Sequence, residues 1–279
     1  MLRQRVITAV VLLALLLPAL LASSPLPFAV FTLVLISAAG WEWARLNGAA
    51  TPLPALASGA LLAALCGLSL YRLPQLGAAG GLWWMGTLAW VVGGAVALRR
   101  GPTGWPGLPA ALRWPLGLVM LWLAWLALAQ ARTVGINFLL SVMCVVWAAD
   151  ISAYFAGRAF GRNKLAPTIS PGKSWEGVYG GVAGVLLLGV AWLWLDGQAN
   201  FDSASLFTLL KQRWGWMGLL LAALLLTALS VAGDLFESLV KRAAGVKDSS
   251  ALLPGHGGVL DRVDALLPVL PAAMALISL

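Results

Sequence analysis

The sequence predicts an all-α, polytopic integral membrane protein with eight or nine membrane-crossing helices. Three observations carry that prediction. The 279 residues are 61% hydrophobic and only 10% charged, against about 25% charged in an ordinary soluble domain, and mean hydropathy is +0.91. Apolar runs near the roughly 20 residues needed to cross a bilayer recur along the whole chain. Fifteen tryptophans suit a protein whose indole rings settle at the headgroup level.

The runs fall at about 6–22, 26–41, 53–71, 76–98, 114–131, 134–156, 176–195, 214–236 and 263–279. The first two are divided only by SSPLP and could form a hairpin, so the count is eight or nine. The first run, from MLRQR to ALLASS, has the outline of a secretory signal peptide, but an uncleaved first anchor looks the same. With the N-terminus inside and nine spans, fourteen of the eighteen Lys and Arg share the cytoplasmic side, leaving Arg72, Arg132, Lys211 and Arg213 opposite. This positive-inside bias places 157–176 and 237–264 together on the cytoplasmic face. It also explains the net charge of +8. Nucleic-acid binding is excluded as a partner class, because no basic stripe interleaved with exposed aromatics is present. Cys66 and Cys144 lie in apolar runs, where packing is their expected role.

The chain divides into residues 1–132, nearly featureless membrane helices, and 133–279, which carry almost all the polar chemistry. The opposite-side loop around 196–213 reads as ordinary connection. Asp150, in VVWAADISAYF, sits at the edge of a span. An ionised carboxylate there is costly unless paired or watered. Two readings are open, a residue reaching the headgroups or a site member, and Ser152 and Tyr154 beside it favour a cavity. In KLAPTISPGKSWEG (164–177) the GKS resembles a P-loop, but Pro167 stands where that motif needs glycine and no strand is expected before it. Lys173 and Ser174 still offer a point charge and a hydroxyl to a phosphate. In GDLFESLVKR (233–242), Asp234, Ser238 and Lys241 fall at i, i+4 and i+7 on one helical face, with Arg242 adjacent. The bland alternative is an intrahelical pair of Asp234 or Glu237 with Lys241.

In PGHGGVLDRVD (254–264) the turn lets backbone approach a ligand, and a ninth span is expected just after it. Asp261 and Asp264 then lie at i and i+3 in its first turns, where a helix N-terminus favours anions. Grouped beside Asp234, these carboxylates call for a cation, and magnesium fits because it is hard and usually takes one or two carboxylates plus substrate phosphates. Lys241, Arg242, Lys247 and Arg262 supply counter-charge for a polyphosphate. Acidic ligands interleaved with bases suit phosphoryl or nucleotidyl transfer. His256, the only histidine, is equally a turn stabiliser or a proton carrier.

The stretch SLVKRAAGVKDSSALLPGHGGVLDRVD, residues 238–264, resembles the signature of the phosphatidate cytidylyltransferase (CDP-diacylglycerol synthase) family. Every fixed position is present at the right spacing: Ser238, Lys241, Arg242, Lys247, Asp248, His256, Gly257, Gly258, Asp261, Arg262 and Asp264. The likeness extends through SPGKSWEG and Asp150. It implies conversion of CTP and phosphatidate to CDP-diacylglycerol and pyrophosphate in phospholipid biosynthesis, a metal site at Asp234 and Asp261, Mg2+ with a supporting K+, a homodimer, and a multi-pass inner-membrane location with a cytoplasmic active site. Asp234, Asp261, Lys241 and Lys247 are then the expected catalytic residues, and the other named polar positions bind substrate. A phosphatidyltransferase acting on CDP-alcohols would show a DG-x-x-AR run, which is missing. A transporter would show broken helices in both halves, whereas polarity here keeps to one half and one face.

Overall fold

The computed structural model describes residues 2–71 and 80–278. Arg72, one of the four opposite-side cations, lies outside the described residues. The helices are α1 (Leu2–Leu21), α2 (Leu26–Leu46), α3 (Pro52–Leu70), α4 (Gly80–Ala89), α5 (Ala95–Gly104), α6 (Ala110–Val134), α7 (Ile136–Phe160), α8 (Trp175–Gln198), α9 (Leu206–Ala243), α10 (Leu260–Val263) and α11 (Leu266–Ile277). A π-helical turn, Trp90–Gly94, joins α4 to α5 so that the two act as one span. Gly215, at φ 66°, divides α9 into a short first piece and a long second one. Among the described residues eight segments are long and apolar enough to cross a membrane, which makes this a multi-pass membrane protein.

The ninth predicted span takes a different form. The 263–279 run becomes α11, 12 residues long, which at 1.5 Å per residue spans only about 18 Å of a hydrocarbon core about 30 Å thick. It is buried against α4, α6, α7 and α9 rather than exposed to lipid. Counting apolar residues does not separate a short helix buried in protein from a span bathed in lipid. A second difference lies at 164–174, expected as loop, where β1 (Lys164–Ala166) and β2 (Ser170–Ser174) pair as an antiparallel hairpin.

Packing follows from small side chains and tryptophans. Gly177, Gly180, Gly181 and Gly184 of α8 lie directly on Ala149, Ser152, Ala153, Ala156 and Gly157 of α7, backbone against backbone, the close approach that small residues permit between membrane helices. Trp43, Trp90 and Trp105 surround Phe236 of α9 with ring centroids 5.3–6.1 Å apart. Phe236 lies two residues from Asp234, so this aromatic cluster fixes the height and rotation of the helix that carries it.

The end of the bundle away from Asp234 has its own polar network. Asp202 accepts the first backbone N–H groups of α7, Ile136 at 2.5 Å and Asn137 at 3.0 Å. Asp196 accepts the Asn137 amide at 2.9 Å and the Ser205 hydroxyl at 2.6 Å. The loop between α8 and α9 is therefore a cap for α7 rather than a plain connection. Burial pushes the Asp202 carboxyl up, but the N–H groups of Asn137 and Ile136 and the charge of Arg132 outweigh it and hold the carboxyl below its ordinary value. A lowered folded-state value stabilises the fold above the ordinary carboxylate range and loses that contribution as pH falls through the lowered value. Asp202→Ala should cost about 1 kcal/mol, typical of a lost N-terminal cap, seen as a lower melting temperature in detergent at pH 7. The gap from wild type should close on acidification below about pH 4.

Candidate active site

The polar end is assembled from α2, α7, the β1–β2 hairpin, the last turns of α9 and the loop 244–259. Lys173, at the end of β2, reaches Asp234 with Nζ–Oδ2 2.6 Å. Ser238, one turn after Asp234 on the same face, donates its hydroxyl to Oδ1 at 3.3 Å. Asp150, Lys173 and Asp234 line one cavity of about 550 Å³ together with Tyr154, Arg158, Ser170 and Ser174. Apolar side chains, Leu165, Val178 and Val231 among them, form the rest of its wall. The cavity is amphipathic and large enough for part of a substrate of ordinary size. Asp264 stands near Asp234 and Lys173 and lies in their field. Gly233 makes that approach possible, because a Cβ there would sit 2.5 Å from the Asp264 carbonyl and 2.9 Å from Pro268.

A second cluster adjoins the first. Lys241 pairs with Glu237 one turn back and with Asp261 at 2.7 Å. The side chains of Lys241, Glu237 and Asp261 are only 13%, 2% and 6% exposed. Asp261 is nearly saturated: Oδ2 accepts Gly258 N–H at 2.7 Å, the Ser249 hydroxyl at 2.9 Å and Ser249 N–H at 3.0 Å. Burial pushes the Asp261 carboxyl up, but Glu237, Lys241 and the Gly258 N–H outweigh burial and hold it well below the usual carboxylate range.

The remaining sequence-predicted residues take more local positions. Ser174 caps α8, its hydroxyl accepting Gly177 N–H at 3.2 Å. Arg242 is exposed and leans on the Val246 carbonyl at 3.4 Å. Arg262 donates to the His256 carbonyl from Nε at 3.0 Å and Nη2 at 2.5 Å, stapling the PGHGG turn. Lys247 and Asp248 are exposed on the loop. Gly257, at φ +84°, lies over the Asp261 carboxylate. The structure thus gathers Asp150, Lys173 and Asp234 around one cavity, with Ser238 bonded to Asp234 and Asp264 near it behind the wall, places Lys241 and Asp261 in the adjoining cluster, and leaves Arg242, Lys247, Asp248 and Arg262 exposed.

Sequence reasoning missed Glu42 of α2. Its side chain is fully buried and accepts Val259 N–H at 2.9 Å and Leu260 N–H at 2.7 Å, more than 200 positions along the chain. The signal was available: Glu42 is the only acidic residue before Asp150, and an isolated carboxylate in an apolar helix requires a partner.

A magnesium ion would find hard oxygen donors here. Among the described residues no three acidic, histidine or cysteine side chains converge on one point that could hold an ion. That fits the usual magnesium mode of one or two carboxylates completed by substrate phosphates. Asp234 already meets a cationic group in the Lys173 ammonium and opens to the cavity. Asp261 does not, and joining a metal would require it to release Lys241.

The chain is similar to known proteins along nearly its whole length. The model of the cytidylyltransferase family matches residues 3–279. The phosphatidate cytidylyltransferase of Pseudomonas aeruginosa is 43% identical over 99% of this chain and 97% of its own length. Phosphatidate cytidylyltransferases of Haemophilus influenzae and Staphylococcus epidermidis are 50% and 39% identical over about half of this chain, covering 44% and 49% of their own lengths.

The Lys241 cluster generates a stability prediction. Removing the ammonium leaves Asp261 as a buried carboxylate without its cation and Glu237 without its polar partner, and breaking such a pair costs about 3 kcal/mol or more. Lys241→Met should therefore melt well below wild type in detergent. Adding Asp261→Asn to that variant should recover part of the loss, since the stranded charge is gone.

Proposed function

The chain belongs to the cytidylyltransferase family and is a nucleotidyltransferase that uses CTP, and from that premise we propose that it transfers the cytidylyl group to phosphatidate. The observation that carries the lipid assignment is the amphipathic cavity holding Asp150, Lys173 and Asp234 beside apolar walls at the end of membrane-spanning helices. A soluble phosphate acceptor would need no such wall. The near full-length likeness to a protein named phosphatidate cytidylyltransferase supports the same acceptor.

In the reaction a phosphatidate phosphate oxygen attacks the α-phosphorus of CTP. A new P–O bond forms, the α–β bridging P–O bond breaks, and pyrophosphate leaves with the electron pair. The attacking phosphate needs little activation, since the second pKa of a phosphate monoester is about 6. Catalysis therefore rests on positioning and charge neutralisation. Lys173, at the wall of the cavity, is placed to meet a phosphate, releasing Asp234 as it does so. Arg158, beside Tyr154 at 3.1 Å, stands at the cavity mouth, and Arg242, Lys247 and Arg262 offer further charge on the rim. Magnesium, held by Asp234 with Asp264 or Asp150 nearby and by Asp261 if Lys241 yields, would neutralise the triphosphate and the leaving pyrophosphate. We place this site on the cytoplasmic face of the inner membrane, supported by the fourteen-to-four charge asymmetry and the cytosolic supply of CTP.

Radiolabelled CTP and phosphatidate in detergent should yield labelled CDP-diacylglycerol, and no product would end the proposal. Asp234→Asn should lower turnover by at least 10²-fold, the scale seen when a group stabilising transition-state charge is lost, with normal insertion. Arg99→Ala, equally basic but away from the cavity, should retain wild-type turnover. For orientation, cysteines introduced at the exposed positions Gly172 and Val246, in a background lacking Cys66 and Cys144, should resist impermeant thiol reagents in intact cells. Labelling of both from outside would reverse the orientation.

A further inference from the structure

We infer that Glu42 is a positioning residue for the loop that carries Asp261, acting from the N-terminal helices on a site whose other members all come from the C-terminal half. The inference rests on the proposed reading only in taking that loop as part of the transfer site. Glu42 is fully buried near the end of α2, and it forms none of the ion pairs found among the described residues. Its charge is met by the loop itself. Oε1 accepts Val259 N–H at 2.9 Å and the Ser250 hydroxyl, and Oε2 accepts Leu260 N–H at 2.7 Å. Ser249 lies between Glu42 and Asp261, with its hydroxyl 3.3 Å from the former and 2.9 Å from the latter. A single hydroxyl proton serves only one acceptor well, and the distances give it to Asp261.

Glu42 and Asp261 therefore grip the two ends of one loop, with Gly258 between them. A Cβ at Gly258 would lie 2.3 Å from Glu42 Oε1 and 2.0 Å from Ser249 Oγ, so the second glycine of HGG is the residue that lets both carboxylates close on the backbone. The arrangement requires a carboxylate. Two backbone N–H groups meet two separate oxygens, and a carboxamide would present an NH2 to one of them, donor against donor. The N-terminal helices also touch this loop through the Thr8 hydroxyl of α1 on the Pro254 carbonyl at 3.0 Å, an exposed contact at the tip, so loss of Glu42 should loosen the buried ends of 249–261 while the rest of the bundle stays packed.

Deuterium exchange and steady-state kinetics on the full detergent-solubilised chain test this together. Glu42→Gln should raise exchange in peptides spanning 249–262 at least tenfold, leave α7 and α8 peptides unchanged, and lower kcat at saturating CTP and phosphatidate at least tenfold. Ser250→Ala, which removes one donor and leaves the carboxylate, should shift the same peptides and kcat two- to fivefold, and decides the matter if Glu42→Gln does not fold. Wild-type exchange and kcat in both variants would overturn the inference. So would faster exchange spread through α2, α3 and α6 with a matching loss of melting temperature, which marks Glu42 as a general prop. A wild-type chain that transfers nothing from CTP would defeat the proposed reaction, and the exchange data would still decide whether Glu42 holds the loop.

Discussion

A carboxylate withdrawn from water must be met by a cation or by several hydrogen-bond donors, or it is not tolerated, and the polar end of this bundle is organised around that demand. Glu42 is met by amides and hydroxyls, Glu237 by an ammonium, and Asp261 by both. The loop 244–259 contributes few buried apolar side chains, so these contacts rather than apolar packing hold it. Three carboxylates on three different elements thereby convert a glycine-rich segment into a defined surface. The helices below it need no such device, because Trp43, Trp90, Trp105 and Phe236 fill the interior between α2, α5 and α9.

The same demand explains which contacts are built to exchange. The Lys173–Asp234 pair is about a quarter exposed on each side and borders a cavity, so parting it returns both groups to a partly solvated space. The Lys241 cluster is largely withdrawn from water, its side chains 13%, 2% and 6% exposed, and opening it leaves charge buried. The two lysines look alike in the sequence, each a cation beside a carboxylate near a membrane edge. Their burial separates them: Lys173 borders a cavity, and Lys241 is enclosed with Glu237 and Asp261.

Much of this was legible before any coordinates. Apolar runs marked the eight crossing helices, and the spacing from Ser238 to Asp264 marked the loop that the structure wraps over α9. Hydropathy was blind to α11, because Leu266–Ile277 is apolar all round whether it faces lipid or protein. The hairpin at 164–174 was hidden by Pro167, Pro171 and Gly172, which read as breakers. Ser174 reads as a phosphate ligand in GKS, and it is spent on capping α8. Glu42 was the larger omission. Its partners lie 207 to 218 positions away, and no local pattern reports such a contact. The isolation of one acid within an apolar helix was the only trace it left.

Charge is layered from the centre of the site outward. Glu42, Asp234, Glu237, Asp261 and Asp264 are buried or half-buried, Asp150 lines the cavity, and only Lys173 and Lys241 stand among them. Arg158, Arg162, Lys164, Arg242, Lys247 and Arg262 are exposed around this core. The centre is richer in carboxyl than in ammonium groups and offers a triphosphate less attraction than the basic rim does. Long-range attraction to the rim gathers the nucleotide, but the rim lies in water, where each contact is screened and weak. Transfer requires the α-phosphorus to come to the lipid phosphate at the membrane edge, against the acidic core. Bare nucleotide gains nothing by that last step. A divalent cation carried with it would change that, because such a cation can satisfy carboxylates and phosphates at once. The excess of carboxyl groups in the core is thus the feature of this end that would suit a nucleotide bound as its metal complex.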